Sequence, residues 1–203
     1  MVVSGCVTAA VPFRVTRTWF DTDWERQCPA VQVGGLDKQG WVHFVVTAGP
    51  VIGPGADVGV QNIWVEGSSV FMELRFIEPM AYERAFRRVA RLEVEMPASR
   101  LPSSLEKITL VVGGVPVKIA VSDGDAVQLV RGRLAVGPLG VPTNELAALE
   151  PELVLLVRRD KNQDFSWRWY VELGPPGGGR EGPRVHATID AVSGEILELV
   201  VDK

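Results

Sequence analysis

The two histidines, His43 and His186, are the side chains of this chain best suited to acid–base or metal chemistry. Such chemistry needs a partner, either a second metal ligand at a recognisable spacing or a group that exchanges a proton with the imidazole. His43 lies within an apolar run, which favours a hydrogen-bonded residue of the core or of an interface. His186 alternates with apolar residues, which points it toward solvent. No motif places a partner beside either histidine, so we expect no catalytic residue, no metal ion and no cofactor; a pocket joining His43 to two acids would revive an enzymatic interpretation.

Acidic and glycine-rich segments offer two further kinds of binding site. Asp21, Asp23 and Glu25 can offer oxygens to calcium, but the glycine and the distal glutamate of a helix-loop-helix calcium site are missing. An acidic first turn of a helix explains these residues more simply. The loop at residues 53–59 has the third glycine of a dinucleotide-binding loop one place late, and no helical pattern follows it. Neither segment is expected to bind a ligand.

The two cysteines, Cys6 and Cys28, can form one disulfide or none. Residues 3–6 read VSGC and resemble the lipobox of bacterial lipoproteins, a resemblance that implies a lipid on the sulfur of Cys6. The charged and apolar segments that precede such a site in that family are not found before residue 3. We expect residues 1–10 to be a lipoprotein leader remnant, with an ordinary thiol at Cys6 as the alternative.

Tryptophan is the other residue type that can make a binding surface. The chain has six, each of which is a core residue by default: Trp19, Trp24, Trp41, Trp64, Trp167 and Trp169. Trp167 and Trp169 are two residues apart and therefore share one face of a strand. That face is either a buried wall or a binding face on which a ligand stacks, and the wall is the favoured interpretation.

Composition excludes several classes of partner. The chain has 203 residues, of which 46% are hydrophobic and 23% charged, an ordinary globular composition. Its net charge of -4 gives no broad positive field, so nucleic acid is not an expected partner. The basic residues between 84 and 91 are balanced by Glu83, Glu93 and Glu95, which favours a solvated face. Membrane attachment is expected only through a lipid anchor, because no stretch reaches the roughly 18 apolar residues of a spanning helix.

The N-terminal half is predicted to be an antiparallel β domain over residues 11–121. Alternating or continuous apolar runs predict strands at residues 12–20, 41–47, 58–65, 69–77, 89–96, 108–112 and 115–121. The strand at 41–47 is apolar on both faces, which predicts a central, doubly covered position. Short loops at 66–68 and 113–114 contain glycine and predict two hairpins.

The C-terminal part, residues 122–203, is predicted to be one helix followed by a sheet. Ser122 is a helix N-cap answered by Asp125, and one helix face collects Ala126, Leu129, Val130 and Leu134. Strands are predicted at 153–159, 165–173, 184–189 and 195–201. Between the last two, Asp190 can accept amide hydrogens of a turn, and Gly194 can adopt the left-handed conformation that closes it.

Three segments carry a family resemblance: PELVL at 151–155, WRWYV at 167–171 and VHATIDAVSGEIL at 185–197. They resemble PepSY domains, including those in the propeptides of secreted metallopeptidases, and the likeness covers about 118–203. The family places a helix before a small antiparallel sheet, so the resemblance implies an α+β, β-rich fold. It also implies a protein that holds or inhibits a peptidase, or binds a ligand at the cell surface, without chemistry of its own.

A second likeness covers residues 41–112. A strand ending in AGP at 48–50, a glycine-rich loop, a hairpin and Pro79 are similar to the C-terminal domain of protease-complex B-subunit proteins. That family has Thr-Gly-Gly-Tyr after the first strand, where this chain has IGPG at 52–55.

Together these features predict a non-catalytic, extracytoplasmic protein-interaction module, lipid-anchored to the bacterial cell membrane, that regulates or inhibits a peptidase. The tryptophans support the alternative of a cell-wall or carbohydrate-binding surface protein.

Overall fold

A computed structural model of the chain describes residues 10–21, 27–52, 57–77, 87–136, 148–159, 165–178 and 182–202. These residues are mostly β-strand with one α-helix, so the β-rich α+β class is confirmed. They form two compact units that divide between Val117 and Lys118, four residues before the boundary predicted at Ser122. Within the described residues, no helix has the length and apolar character needed to cross a membrane.

Among the described residues, eight strands form the first unit. Their bounds are β1 Arg14–Asp21, β2 Ala30–Leu36, β3 Trp41–Ile52, β4 Asp57–Glu66, β5 Ser69–Ile77, β6 Arg87–Pro97, β7 Lys107–Val112 and β8 Val115–Pro116. One sheet has the order β1-β6-β3-β2 with antiparallel neighbours throughout, so β3 is a central strand as predicted.

The second sheet of this unit has the order β4-β5-β7-β8. The hairpin of β4 and β5 is confirmed, and its turn has Gly67 at a φ of 60°. The hairpin of β7 and β8 is confirmed too, with Gly113 and Gly114 at φ values of 58° and 79°. Positive φ at both central residues is the geometry of a two-residue hairpin turn, and glycine adopts it without a steric cost.

Two details of this sheet differ from the prediction. Strands β5 and β7 run parallel, because the chain forms β6 in the other sheet between them and returns in the same direction. The predicted strand at 115–121 ends at Pro116, whose ring nitrogen carries no hydrogen for a ladder. One further ladder-like bond follows, from the Val117 amide to the Leu110 carbonyl at 2.8 Å.

The core of the first unit uses alternate residues of its strands. Phe44 and Val46 of β3 and Leu92 and Val94 of β6 are fully buried on one face of the first sheet. On the opposite face of β3, the side chains are only partly covered, so the predicted double covering of this strand is wrong. The physical reason is that this face carries His43 of β3 together with Glu93 and Glu95 of the neighbouring strand β6, which are charged or polar and do not form a second apolar layer.

In its described residues, the second unit consists of the helix α1 and one sheet. Its elements are α1 Asp123–Val136, β9 Glu150–Arg159, β10 Phe165–Gly174, β11 Arg184–Asp190 and β12 Ile196–Asp202. The sheet is an antiparallel meander with the order β12-β11-β10-β9, which confirms the four predicted strands.

Helix α1 begins as its sequence predicts. The Asp125 amide donates to the Ser122 hydroxyl at 3.1 Å, and that hydroxyl donates to the Asp125 carboxylate at 2.7 Å, so the cap is confirmed. Ala126, Val130 and Leu134 are buried against the sheet, but Leu129, which was predicted on the same helix face, is 39% exposed. One helical face is only about 100° wide, and Val127 takes the remaining buried position.

Candidate functional site

An open groove of about 820 Å³ lies beside α1 in the second unit. One wall is α1, and the other is the turn between β11 and β12 with the start of β12. Apolar side chains dominate the lining and polar ones are spread along it: Val121, Leu129, Val136 and Ile196, with Asp125, Gln128, Arg133 and Ser193. A concave, mostly apolar surface with a few polar groups is the usual form of a binding site.

The turn that forms one wall is held by Asp190. Its carboxylate accepts hydrogen bonds from the Val192 amide at 3.0 Å, the Ser193 amide at 2.7 Å and the Ser193 hydroxyl at 2.9 Å. The Gly194 amide donates to the Asp190 carbonyl at 3.0 Å, and Gly194 has a φ of 76°. Both residues therefore have the structural roles predicted from the sequence.

The pKa of Asp190 lies below its ordinary value as the net result of opposing effects. Partial burial acts to raise the pKa of this carboxyl, but the Ser193 amide and hydroxyl, the Val192 amide and the charge of Arg168 together act more strongly in the opposite direction. The carboxylate is thus stabilised by the turn that it closes.

This turn is anchored to the segment that enters α1. The amides of Ala120 and Val121 donate to the Ala191 carbonyl at 2.9 and 3.1 Å, and the Ala191 amide donates to the Trp167 carbonyl at 3.0 Å. A Cβ added at Gly194 would lie 3.4 Å from Leu129 and 3.5 Å from Val121. The two walls of the groove are therefore in close contact at its base, and the backbone sets their separation.

Strand β12 borders the groove at one edge of the sheet. Val192, Leu197 and Val200 are exposed apolar side chains on this hairpin. Glu195, Glu198 and Asp202 are exposed as well, so the edge is acidic as well as apolar. An edge strand carries backbone groups that can pair with another strand.

Trp167 and Trp169 belong to the core of this unit. They are 6% and 0% exposed, and the Trp169 indole donates to the Val121 carbonyl at 2.9 Å. Their common face is the buried wall, the favoured interpretation of the sequence, and offers no exposed platform on which a ligand could stack.

The first unit holds a cluster of charged side chains around His43. Register pairs His43 of β3 with Glu95 of β6, and Glu93 follows on the same face. The His43 Nδ1 atom lies 3.0 Å from Glu95 Oε1 and 3.6 Å from Glu93 Oε1, and Nε2 lies 3.7 Å from Asp37 Oδ2. One ligand atom from each of His43, Glu93 and Glu95 can be chosen so that all lie within 4.8 Å of one another, which is compatible with a metal ion.

Other residues hold this cluster in place. Arg14 forms an ion pair with the second oxygen of Glu95, and its guanidinium carbon lies 4.3 Å above the ring of Trp41. Backbone amides of Trp41 and Gln39 donate to Asp37 at 2.8 Å each. The Trp41 amide is the main reason that the pKa of Asp37 is lowered; burial opposes it, and the Gln39 amide and the charges of His43 and Arg14 assist it.

The sequence alone did not identify this cluster. His43 is a partly exposed residue whose ring nitrogens lie beside three carboxylates, and the interpretation of Glu95 as part of a solvated face is wrong, because its side chain is only 7% exposed. The one signal in the sequence was the spacing of Glu93 and Glu95, which places both on one face of a strand. That spacing does not predict which strand lies beside the two glutamates.

The remaining predicted residues are placed as follows. His186 is exposed as predicted, with Glu172 at 3.7 Å from Nδ1 and Asp202 at 3.4 Å from Nε2. Cys6 lies outside the described residues. The predicted lipidation of Cys6 and its possible disulfide with Cys28 therefore stay predictions. Also outside the described residues lie Asp23, Glu25, Trp24, the glycines of residues 53–55, Pro79, Glu83 and Arg84.

No protein-family model matches the chain, and no curated protein sequence matches it significantly. The likenesses to PepSY domains and to protease-complex B-subunit proteins therefore depend on the segments quoted above, and both stay predictions.

Proposed function

We propose that this protein is a non-catalytic, extracytoplasmic protein-interaction module whose second unit binds an extended segment of a peptidase. The observation that carries the proposal is the apolar groove between α1 and the β11–β12 turn, bordered by the exposed edge strand β12. The PepSY resemblance covers the same unit and supplies the class of partner.

The proposed mode of binding is strand addition. A segment pairing with β12 would satisfy that strand's outer backbone groups and place alternate side chains toward the groove. Leu129 and Val136 of α1 and Ile196 of β12 offer apolar contacts to those side chains. Backbone pairing would supply affinity with little dependence on sequence, and the groove would supply selectivity.

The charge of the β12 edge indicates which kind of peptide segment would bind there. Glu195, Glu198 and Asp202 give the β12 edge a negative charge, so a segment with basic as well as apolar residues is favoured. Arg133 lies in the groove itself and can pair with an acidic group at one end of the segment. Association is expected to weaken as salt screens these exposed charges.

A Leu129→Asp substitution tests this proposal. It places a charge on the apolar wall of the groove at a side chain that is already 39% exposed, so the fold should be retained. The full chain should capture a peptidase from envelope extracts and inhibit its hydrolysis of a protein substrate. The substitution should weaken that inhibition about tenfold or more.

The matched control is Val33→Asp, which introduces the same charge at an exposed valine of β2 in the first unit. This variant should inhibit as the parent chain does. Equal inhibition by both variants, or a cytosolic location of the protein with no peptidase bound, would contradict the proposal.

The alternative function, binding of a cell-wall glycan, would require tryptophan rings that are open to a sugar. Three tryptophans of the first unit have one ring face occupied: Trp41 by Arg14, Trp19 by Arg17 at 5.2 Å and Trp64 by Phe71 at 5.3 Å. Titration with cell-wall glycan fragments would have to change the intrinsic fluorescence for this alternative to replace the peptidase proposal.

A further inference from the structure

We propose that His43, Glu93 and Glu95 bind a divalent transition-metal ion of the zinc class. The proposal concerns the first unit and does not depend on the peptide-binding groove. It rests on the arrangement of the three side chains on paired strands, and on the residues that orient them.

The distances between the ligand atoms fit such an ion. With zinc at 2.0–2.1 Å from nitrogen and oxygen ligands, tetrahedral geometry places neighbouring ligand atoms about 3.3 Å apart. The His43 Nδ1 atom lies 3.0 Å from one glutamate oxygen and 3.6 Å from the other. The three ligand atoms lie within 4.8 Å of one another, so a rotation of the partly exposed Glu93 side chain can bring its oxygen closer to an ion held by His43 and Glu95.

The backbone places the ligands without a flexible loop. His43 lies directly opposite Glu95 in the pairing of β3 with β6, and Glu93 is two residues away on the same face. A Cβ at Gly34 would lie 3.1 Å from the His43 carbonyl oxygen, so glycine there permits the close approach of β2 to β3. Ligands held by a sheet are more rigidly positioned than ligands on loops.

Neighbouring groups orient two of the ligands. Asp37 lies 3.7 Å from the Nε2 atom of His43, on the side away from the glutamates, so its negative charge favours a proton on that nitrogen while Nδ1 binds the ion. A carboxylate in this position is the usual partner of a metal-bound histidine. Arg14 holds the second oxygen of Glu95 and leaves Oε1 directed at His43.

The charge balance favours a cation of moderate affinity. Asp37, Glu93 and Glu95 contribute three negative charges against the single positive charge of Arg14, when the imidazole is neutral. Because Arg14 touches a ligand, its charge opposes the ion, so we expect a dissociation constant on the order of micromolar. His43 and Glu93 have 29% and 36% of their side chains exposed, which leaves access for water to complete the coordination.

The donor set also selects the class of ion. An imidazole with two carboxylates suits zinc and similar transition metals, whereas calcium and magnesium prefer oxygen ligands alone. The competing interpretation is a charged network in which Arg14 and His43 only neutralise the glutamates. That network binds no ion, so metal titration separates the two interpretations.

The experiment is calorimetric titration of the full chain with zinc chloride, in a background where both cysteines are serine so that thiols bind no zinc. One equivalent should bind, and His43→Gln should weaken binding at least about tenfold. Glu93→Gln should do the same and serves as the second variant, because the Glu93 side chain is 36% exposed and that of Glu95 only 7%, so a change at Glu93 carries the smaller risk to folding. Cobalt in place of zinc should give visible absorption bands that both substitutions remove.

His186→Gln is the matched control. His186 also has two carboxylates nearby, but they approach different ring nitrogens, so they cannot share one ion with a single nitrogen. This variant should bind zinc as the parent does. Absence of saturable binding, or equal weakening by His43→Gln and His186→Gln, would overturn the proposal, and so would equal affinity for calcium.

Discussion

At the scale of single residues, the contribution of the β11–β12 turn to stability depends on the ionisation of Asp190. Its carboxylate accepts three hydrogen bonds, one from Val192 and two from Ser193. Burial opposes the charged form, but these donors and the charge of Arg168 together outweigh it. The motif therefore stabilises the hairpin only while the carboxyl is ionised.

The pH dependence of stability follows from the lowered pKa of Asp190. Because this pKa is lower in the folded protein than in the unfolded chain, the contribution is present above about pH 4 and is lost as the pH falls through the lower folded pKa. An Asp190→Asn variant should therefore be less stable than the parent at pH 7, and the difference should shrink toward about pH 2. Urea midpoints followed by circular dichroism would measure both values.

The control for Asp190 is Glu198→Gln, which removes an exposed carboxylate from the neighbouring strand β12. It should change the urea midpoint little at either pH. A difference between the parent and Asp190→Asn that stayed constant across the pH range would contradict the role assigned to the ionised carboxylate.

At the scale of elements, the β11–β12 hairpin depends on the backbone conformation of Gly194. Its φ of 76° lies in the left-handed region, which costs a residue with a Cβ roughly 1–2 kcal/mol. The nearest side-chain atoms to an added Cβ lie at 3.4 and 3.5 Å, which is ordinary contact. Conformational strain, and not a clash, is thus the expected penalty.

We expect Gly194→Ala to reduce the free energy of unfolding by about 1–2 kcal/mol. Gly174→Ala is the matched control, because nothing lies within 4 Å of an added Cβ at Gly174 and its φ is not left-handed. That variant should be neutral or slightly stabilising. Chemical denaturation of the two variants side by side gives the comparison, and equal losses would show that the turn conformation is not the cause.

At the scale of the whole molecule, each unit has its own core, and that of the second unit joins a helix to a sheet. Trp169 is the largest fully buried side chain among the described residues. The indole fills space beneath α1 and also donates to the Val121 carbonyl at the entry of the helix. One residue therefore supplies both apolar burial and a polar connection between the two layers.

Trp169→Phe should lower the free energy of unfolding by about 2–3 kcal/mol, because the variant loses volume and removes the donor to a buried carbonyl. Trp64→Phe is the control, since the Trp64 indole bonds to Glu66 at an exposed position and phenylalanine keeps the stacking on Phe71. Its cost should stay below about 1 kcal/mol. A Trp169→Phe variant as stable as Trp64→Phe would refute the role of the buried hydrogen bond.

Much of the local structure could be predicted because its causes are local. Ser122 and Asp125 define the start of α1, Gly113 and Gly114 define a two-residue turn, and Asp190 with Gly194 defines another. Each of these features involves residues within a few positions of one another. The exposure of Leu129 was not predictable in this way, because helical spacing alone does not indicate where the sheet that covers the helix ends.

What the sequence by itself determined was most of the strands, the helix and the turns, since apolar alternation and backbone preference act over short stretches of chain. Strand β2 at Ala30–Leu36 was not predicted, because its sequence AVQVGGL combines a short apolar alternation with two glycines. Only the tertiary structure decided that β5 and β7 run parallel, that β3 and β6 are neighbours and that Glu93 and Glu95 meet His43. His43 is separated from the two glutamates by about fifty positions, and strand order depends on how the whole unit buries its apolar faces. The proposed metal site is therefore a property of the fold and not of any motif in the chain.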